Sequence, residues 1–195
     1  MNTSSVLAVV LRVVDTLERL SIDYHLGGSF ASTIHGIPRQ TADVDVVVDL
    51  DTTSGERLVE ALGAEFYIDQ HAVDDAISRR SSFNAIHLAT GFKVDFFVMG
   101  RQQFDRVELQ RSIREQIVAD PPTWAPVKSA EDVILRKLQW YEEGGRVSDR
   151  QWTDVLGVLK TQGDRLDTAY LTEWARRLGL SDLLTRACSE ASTTD

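Results

Sequence analysis

The chain has 195 residues, 43% of them hydrophobic and 26% charged, which is ordinary for a globular protein with one sizeable core or a core plus a helical appendage. Its formal charge of -9 excludes nucleic-acid binding over the whole surface, where phosphate repulsion would dominate. The single cysteine, Cys188, excludes an internal disulfide and fits a reducing cytoplasm.

In chain order, Leu7, Val10, Leu11, Val14, Leu17 and Leu20 repeat at helical spacing after capping residues in Asn2 to Ser5, which predicts a helix covering a sheet. The same opening lacks a positive start and a small-residue cleavage site, so it is a poor signal peptide. No apolar run reaches the roughly 18 residues of a membrane span. A strand near Asp23 to Leu26 leads through Gly27-Gly28-Ser29 into a short helix to about His35, and then to a strand from Asp43 to Leu50. Thr52 to Leu62 has helical spacing and Gly63 stops it. Glu65 to Ile68 is a short strand, and His71 to Arg79 is a helix or an ordered loop. Phe83 to Thr90 and Phe92 to Met99 form a hairpin around Gly91. The segment Asp120 to Pro126 holds three of the four prolines, cannot continue a helix, and marks a seam. Beyond it, Ser129–Glu142, Asp149–Thr161, Asp167–Leu178 and Ser181–Ala191 read as four helices, with Cys188 as a packing residue and Trp140, Trp152 and Trp174 at core spacing. The expected organisation is a mixed α/β core over residues 1–120 and a C-terminal helical region over residues 127–191.

Three aspartates stand out within this layout. Asp43 and Asp45 lie two apart on a strand of β-branched valines, so both project from one face, one pleat apart. Two carboxylates that close repel each other unless a cation sits between them, and magnesium suits oxygen ligands that also share a substrate phosphate. Asp95 lies among Val94, Phe96, Phe97 and Val98, where an acid is expensive unless paired or metal-bound. Gly28 lets backbone approach a ligand, and Ser29 can cap the short helix or hydrogen-bond a phosphate oxygen. Arg39 can contact phosphates or a base, or pair with a surface acid. His25, His35, His71 and His87 are scattered, without the spacing of a histidine-rich metal site, and His35 with Gly36 reads as a helix end. Arg79, Arg80, Arg101, Arg106, Arg111 and Arg114 cluster in the middle third and leave a local basic groove possible.

The block Gly28-Ser29, Asp43-Val44-Asp45 and Asp95 resembles the polymerase-β-like nucleotidyltransferases. Ala31, His35, Gly36, Arg39, Thr41, Asp43 and Asp45, with the segment Ser129 to Leu138 and the helix Ser148 to Leu156 downstream, resemble the AbiEii-like branch of abortive-infection and toxin–antitoxin systems. The likeness covers roughly residues 20 to 160. It implies that Asp43, Asp45 and Asp95 hold magnesium and that Gly28 and Ser29 hold the triphosphate. Lys137, and Asp149 or Asp154, would complete the site, although Lys137 and Asp154 can equally be an ion pair between two helices. The implied reaction is transfer of a nucleoside monophosphate from an NTP to a hydroxyl on tRNA, a protein or a small molecule, with an antitoxin as a conceivable partner. The alternative is a binding module of the same fold without turnover.

Overall fold

A computed structural model describes residues 3–38 and 43–193. Arg39 and Thr41 lie outside the described residues. The chain divides into two compact units, one of residues 1–27 and 41–128 and the other of residues 28–40 and 129–195.

The first unit is built on a seven-stranded mixed sheet of order β3-β4-β5-β2-β1-β7-β6. Its strands are β1 (Tyr24–Leu26), β2 (Asp43–Val48), β3 (Phe66–Tyr67), β4 (Ser82–His87), β5 (Lys93–Val98), β6 (Ile113–Val118) and β7 (Thr123–Val127). β2 runs parallel to β5 and antiparallel to β1, and β1 runs parallel to β7. Both central strands alternate. Val44, Val46 and Val48, like Val94, Phe96 and Val98, are fully buried on one face, while Asp43, Asp45 and Val47, like Lys93, Asp95 and Phe97, stay partly open on the other. Strand period alone explains that sorting. It also moves Phe97 out of the core in which the apolar run places it.

Four helices belong to this unit among the described residues: α1 (Thr3–Leu20), α3 (Thr52–Leu62), α4 (Gln70–Arg79) and α5 (Gln103–Gln110), α2 (Gly28–His35) being part of the second unit. α1 buries Val10, Val14 and Leu17 of the predicted stripe, together with Val9 and Val13, while Leu7, Leu11 and Leu20 are half-buried. α3 starts where Asp51 and Ser54 cap each other reciprocally and ends at Gly63. The segment after His71 is helical, capped by Asp69 accepting from the Ala72 N–H. The proline segment is a turn and strand: β6 and β7 pair antiparallel, with Pro126 opposite Arg114.

The second unit gathers α2 with α6 (Ala130–Glu143), α7 (Asp149–Gln162), α8 (Thr168–Leu178) and α9 (Ser181–Thr193). Gly36 is required at the end of α2, because a Cβ there would lie 2.9 Å from the Ser32 carbonyl oxygen and 3.0 Å from the Val158 nitrogen. The Gln162 amide also donates to the His35 carbonyl at 2.6 Å, tying the end of α2 to α7. Trp152 and Trp174 are buried as their spacing predicts, and Trp140 is partly so. Cys188 is exposed: α9 turns Leu183, Leu184 and Ala187 inward, which leaves position 188 outside.

Candidate active site

In the first unit, the parallel register of β2 and β5 sets Asp45 opposite Asp95 and Asp43 opposite Lys93. Neighbouring strands are about 4.8 Å apart, so three carboxylates and one ammonium share a small patch of the open sheet face. β1 fixes the end of this patch, since the Gly27 N–H donates to the Asp45 carbonyl at 2.8 Å. The valines opposite pin the strands, so the acids are held by a backbone that has no freedom to slip register.

Lys93 is the key to the local electrostatics. Its Nζ lies 2.6 Å from Asp95 Oδ2, with side-chain exposures of 45% and 19%. The hydrogen bond to Asp95 raises the Lys93 pKa above its ordinary value, opposed by desolvation and helped by the charges of Asp95, Asp43 and Asp45. The lysine therefore feels all three acids, and its charge relieves part of their mutual repulsion.

A hard dication fits this donor set by chemistry, because carboxylate oxygens are what magnesium selects and an ammonium already stands in for a cation among them. The side chains are not drawn together around one point, however. Among the described residues, no three His, Cys, Asp or Glu side chains are gathered closely enough to hold a metal ion, and Asp95 is turned to Lys93.

Elsewhere in this unit, Lys128 and Glu108 form an ion pair with both side chains almost wholly buried. Lys128 follows β7, its N–H donates to the Leu26 carbonyl at 2.9 Å, and a Cβ at Gly27 would lie 3.6 Å from its Cε. The bond to Glu108 thus braces the strand end that carries Gly27. Sequence reading missed both Lys93 and Lys128. Lys93 had a usable signal, since it sits two residues before Asp95 and so shares its face. Nothing local marks Glu108, which pairs across 20 residues of sequence.

In the second unit, Gly28 opens α2 with φ at 51°, a left-handed conformation that glycine adopts without strain. Ser29 is buried beside it, and Ser32 Oγ donates to the Gly28 carbonyl at 2.8 Å. Lys137 on α6 meets Asp154 on α7 at 2.7 Å, with side-chain exposures of 4% and 7%, and also donates to Gln151 Oε1 at 3.0 Å. Of the two acids expected near Lys137, the one it contacts is Asp154; Asp149 is exposed in the first turn of α7.

No family model matches the sequence, and no curated protein matches it. Solved structures do. The solution structure of the antibiotic-resistance factor ANT(2'')-Ia matches over 95% of this chain and 99% of its own, with TM-score 0.59 at 13% identity. An antigenic nucleotidyltransferase-like protein from Paracoccidioides brasiliensis matches over 97% of this chain and 94% of its own, with TM-score 0.56 at 18% identity. The crystal structure of ANT(2'')-Ia in complex with adenylyl-2''-tobramycin matches over 88% and 97%, with TM-score 0.54 at 11% identity. At such identities the likeness is one of architecture, and the chain has the nucleotidyltransferase-like fold.

Proposed function

We propose that the protein is a magnesium-dependent nucleotidyltransferase that moves a nucleoside monophosphate from an NTP to an acceptor hydroxyl. The observation that carries this reading is the register of β2 against β5, which puts Asp43, Asp45 and Asp95 side by side on the open sheet face. A surface strand with solvated acids does not need a third acid directly opposite, on a strand that is apolar apart from Lys93.

In the reaction, the acceptor oxygen attacks the α-phosphorus and forms the new P–O bond. The bond from that phosphorus to the β-phosphate bridging oxygen breaks, and pyrophosphate leaves with its electron pair. Asp95, which lies beside Asp45 and is only 19% exposed, would aid deprotonation of the hydroxyl. Asp43, Asp45 and Asp95 are the residues that would hold magnesium. When bound, the ion supplies charge neutralisation and a lowered acceptor pKa. Gly28 and Ser29 are the residues expected to take the triphosphate, by resemblance and by the left-handed turn at Gly28. Arg39, from the same resemblance, is assigned to phosphate or base.

The acidic face and the formal charge of -9 favour an acceptor that is not a polyanion. The match in fold to a protein solved with adenylyl-2''-tobramycin supports a small-molecule hydroxyl. A role as the toxin of a toxin–antitoxin pair is the further reading that the AbiEii-like motif invites.

The test is incubation of purified protein with each α-labelled NTP, magnesium and a cell extract, beside the Asp43→Ala/Asp45→Ala variant. Label on a small molecule, protein or RNA with wild type alone is the expected result. No transfer with any NTP, while NTP binding persists, moves the assignment to an inert binding module.

A further inference from the structure

The side chain that no nucleotidyl-transfer role has absorbed is Lys93, and its position is informative. It projects from the same sheet face as Asp95, stands opposite Asp43, and bonds the one acid that lies opposite Asp45. A lysine kept for a triphosphate would hold its ammonium clear of the metal carboxylates. Here it is engaged with one of them, and the three acids are not closed around a common centre.

We propose that Lys93 is the resident cation of the acid cluster: in the metal-free protein its ammonium holds Asp95, and a divalent ion can use all three carboxylates only after displacing it. The proposal rests on the nucleotidyltransferase reading and concerns how its metal site is loaded. Removing the lysine takes one positive charge from beside Asp95, within the field of Asp43 and Asp45, which strengthens the attraction for a dication and leaves the empty site less stable. The stem is long, flexible and half exposed, so the ammonium can leave Asp95 for water without disturbing the buried valines that hold the strands. In consequence Lys93 lowers metal affinity and stabilises the metal-free fold, two effects of the same bond.

The probe is Mn²⁺ alone, titrated into the full chain and followed by electron paramagnetic resonance of the free ion, with thermal melting at zero and saturating Mn²⁺. Four proteins are compared: wild type, Lys93→Met, Lys93→Arg and Asp45→Asn. Lys93→Met is expected to bind Mn²⁺ about tenfold more tightly than wild type, the order of effect of deleting one unit charge a few ångström from a dication at a half-exposed site. Its metal-free form is expected to melt below wild type, and saturating Mn²⁺ to close that gap. Lys93→Arg, which keeps the charge, is expected to bind as wild type does, and Asp45→Asn to lose binding.

If Lys93→Met binds Mn²⁺ no more tightly than wild type while Asp45→Asn loses it, the resident-cation proposal is overturned and the metal reading stands. If neither wild type nor Lys93→Met binds Mn²⁺ at millimolar concentration, both fall together. Tighter binding in Lys93→Met with an unchanged or higher metal-free melting temperature also overturns it, because the lysine would then not be holding the empty site.

Discussion

The two units each contain a lysine–aspartate bond of nearly the same length, 2.6 Å for Lys93–Asp95 and 2.7 Å for Lys137–Asp154, in opposite surroundings. The first lies on an open sheet face, with the lysine 45% exposed and two more acids within its field. The second is sealed between α6 and α7, with neither side chain more than 7% exposed. An exposed ion pair exchanges partners readily, since water replaces either partner at small cost. A buried one is hard to open, because a charge left alone there has no solvent to turn to. The same bond is therefore easily opened in one unit and hard to open in the other.

The largest effect that sharpens this contrast is on activity. Asp45→Ala is expected to lower nucleotidyl transfer by about a thousandfold or more, the equivalent of roughly 4 kcal/mol of lost transition-state stabilisation. Its far-ultraviolet circular dichroism should stay that of wild type, because removing an acid relieves like-charge repulsion. Retained transfer would break the assignment of the sheet face as the site.

Next comes the buried bond. Lys137→Met is expected to destabilise the fold by about 3–5 kcal/mol in urea unfolding, because the buried Asp154 carboxylate loses the ammonium 2.7 Å away, while Lys137→Met/Asp154→Leu recovers most of that loss. A single variant as stable as wild type would show that the pair is not structural and would return Lys137 to the catalytic candidates.

A smaller loss is expected from Gly36→Ala. The added Cβ must push against backbone atoms 2.9 to 3.1 Å away, so a cost of about 1–3 kcal/mol is anticipated in the same unfolding measurement. No change would mean that the end of α2 shifts freely on α7.

The smallest effect concerns Tyr24 at the far end of β1. Burial, and after it the charge of Glu18 and the hydrogen bond to its carboxylate 3.1 Å away, raise the Tyr24 pKa. Because the folded value is raised, the tyrosine's contribution is fully present below its unfolded pKa near 10 and is lost as pH climbs toward the folded one. Tyr24→Phe should therefore show a shallower fall in stability above about pH 10 than wild type, measured by urea midpoints. Parallel curves would contradict the shift.

Much of the fold is legible in the sequence because its signals are local. α3 occupies Thr52–Leu62 as predicted, since an Asp51 cap precedes its periodic residues and Gly63 follows them. The β-branched run that makes β2 also dictates that Asp43 and Asp45 share a face. What was not legible depends on pairing. β6 carries Arg114, Glu115 and Gln116 with little apolar alternation, and its strand character comes from the ladder to β7. α5 buries Phe104 and, unexpectedly, Glu108, which becomes intelligible only once Lys128 is seen against it. The three aspartates were visible as candidates, but their adjacency required knowing that β2 and β5 run parallel in a register that matches Asp45 with Asp95. Lys93 could be placed on the face of Asp95 from its spacing, but its position opposite Asp43 required the register.

The central claim is that the protein breaks the bond beyond the α-phosphorus of an NTP and keeps the nucleotide. The most direct measurement follows two labels in parallel, ATP labelled at the α-phosphate and ATP labelled at the γ-phosphate, with magnesium and a cell extract, extended to the other NTPs. Nucleotidyl transfer predicts α-label on the acceptor and γ-label released as pyrophosphate, both abolished in Asp43→Ala/Asp45→Ala. Transfer of the γ-label to the acceptor, or α-label transfer that survives in that variant, would contradict it.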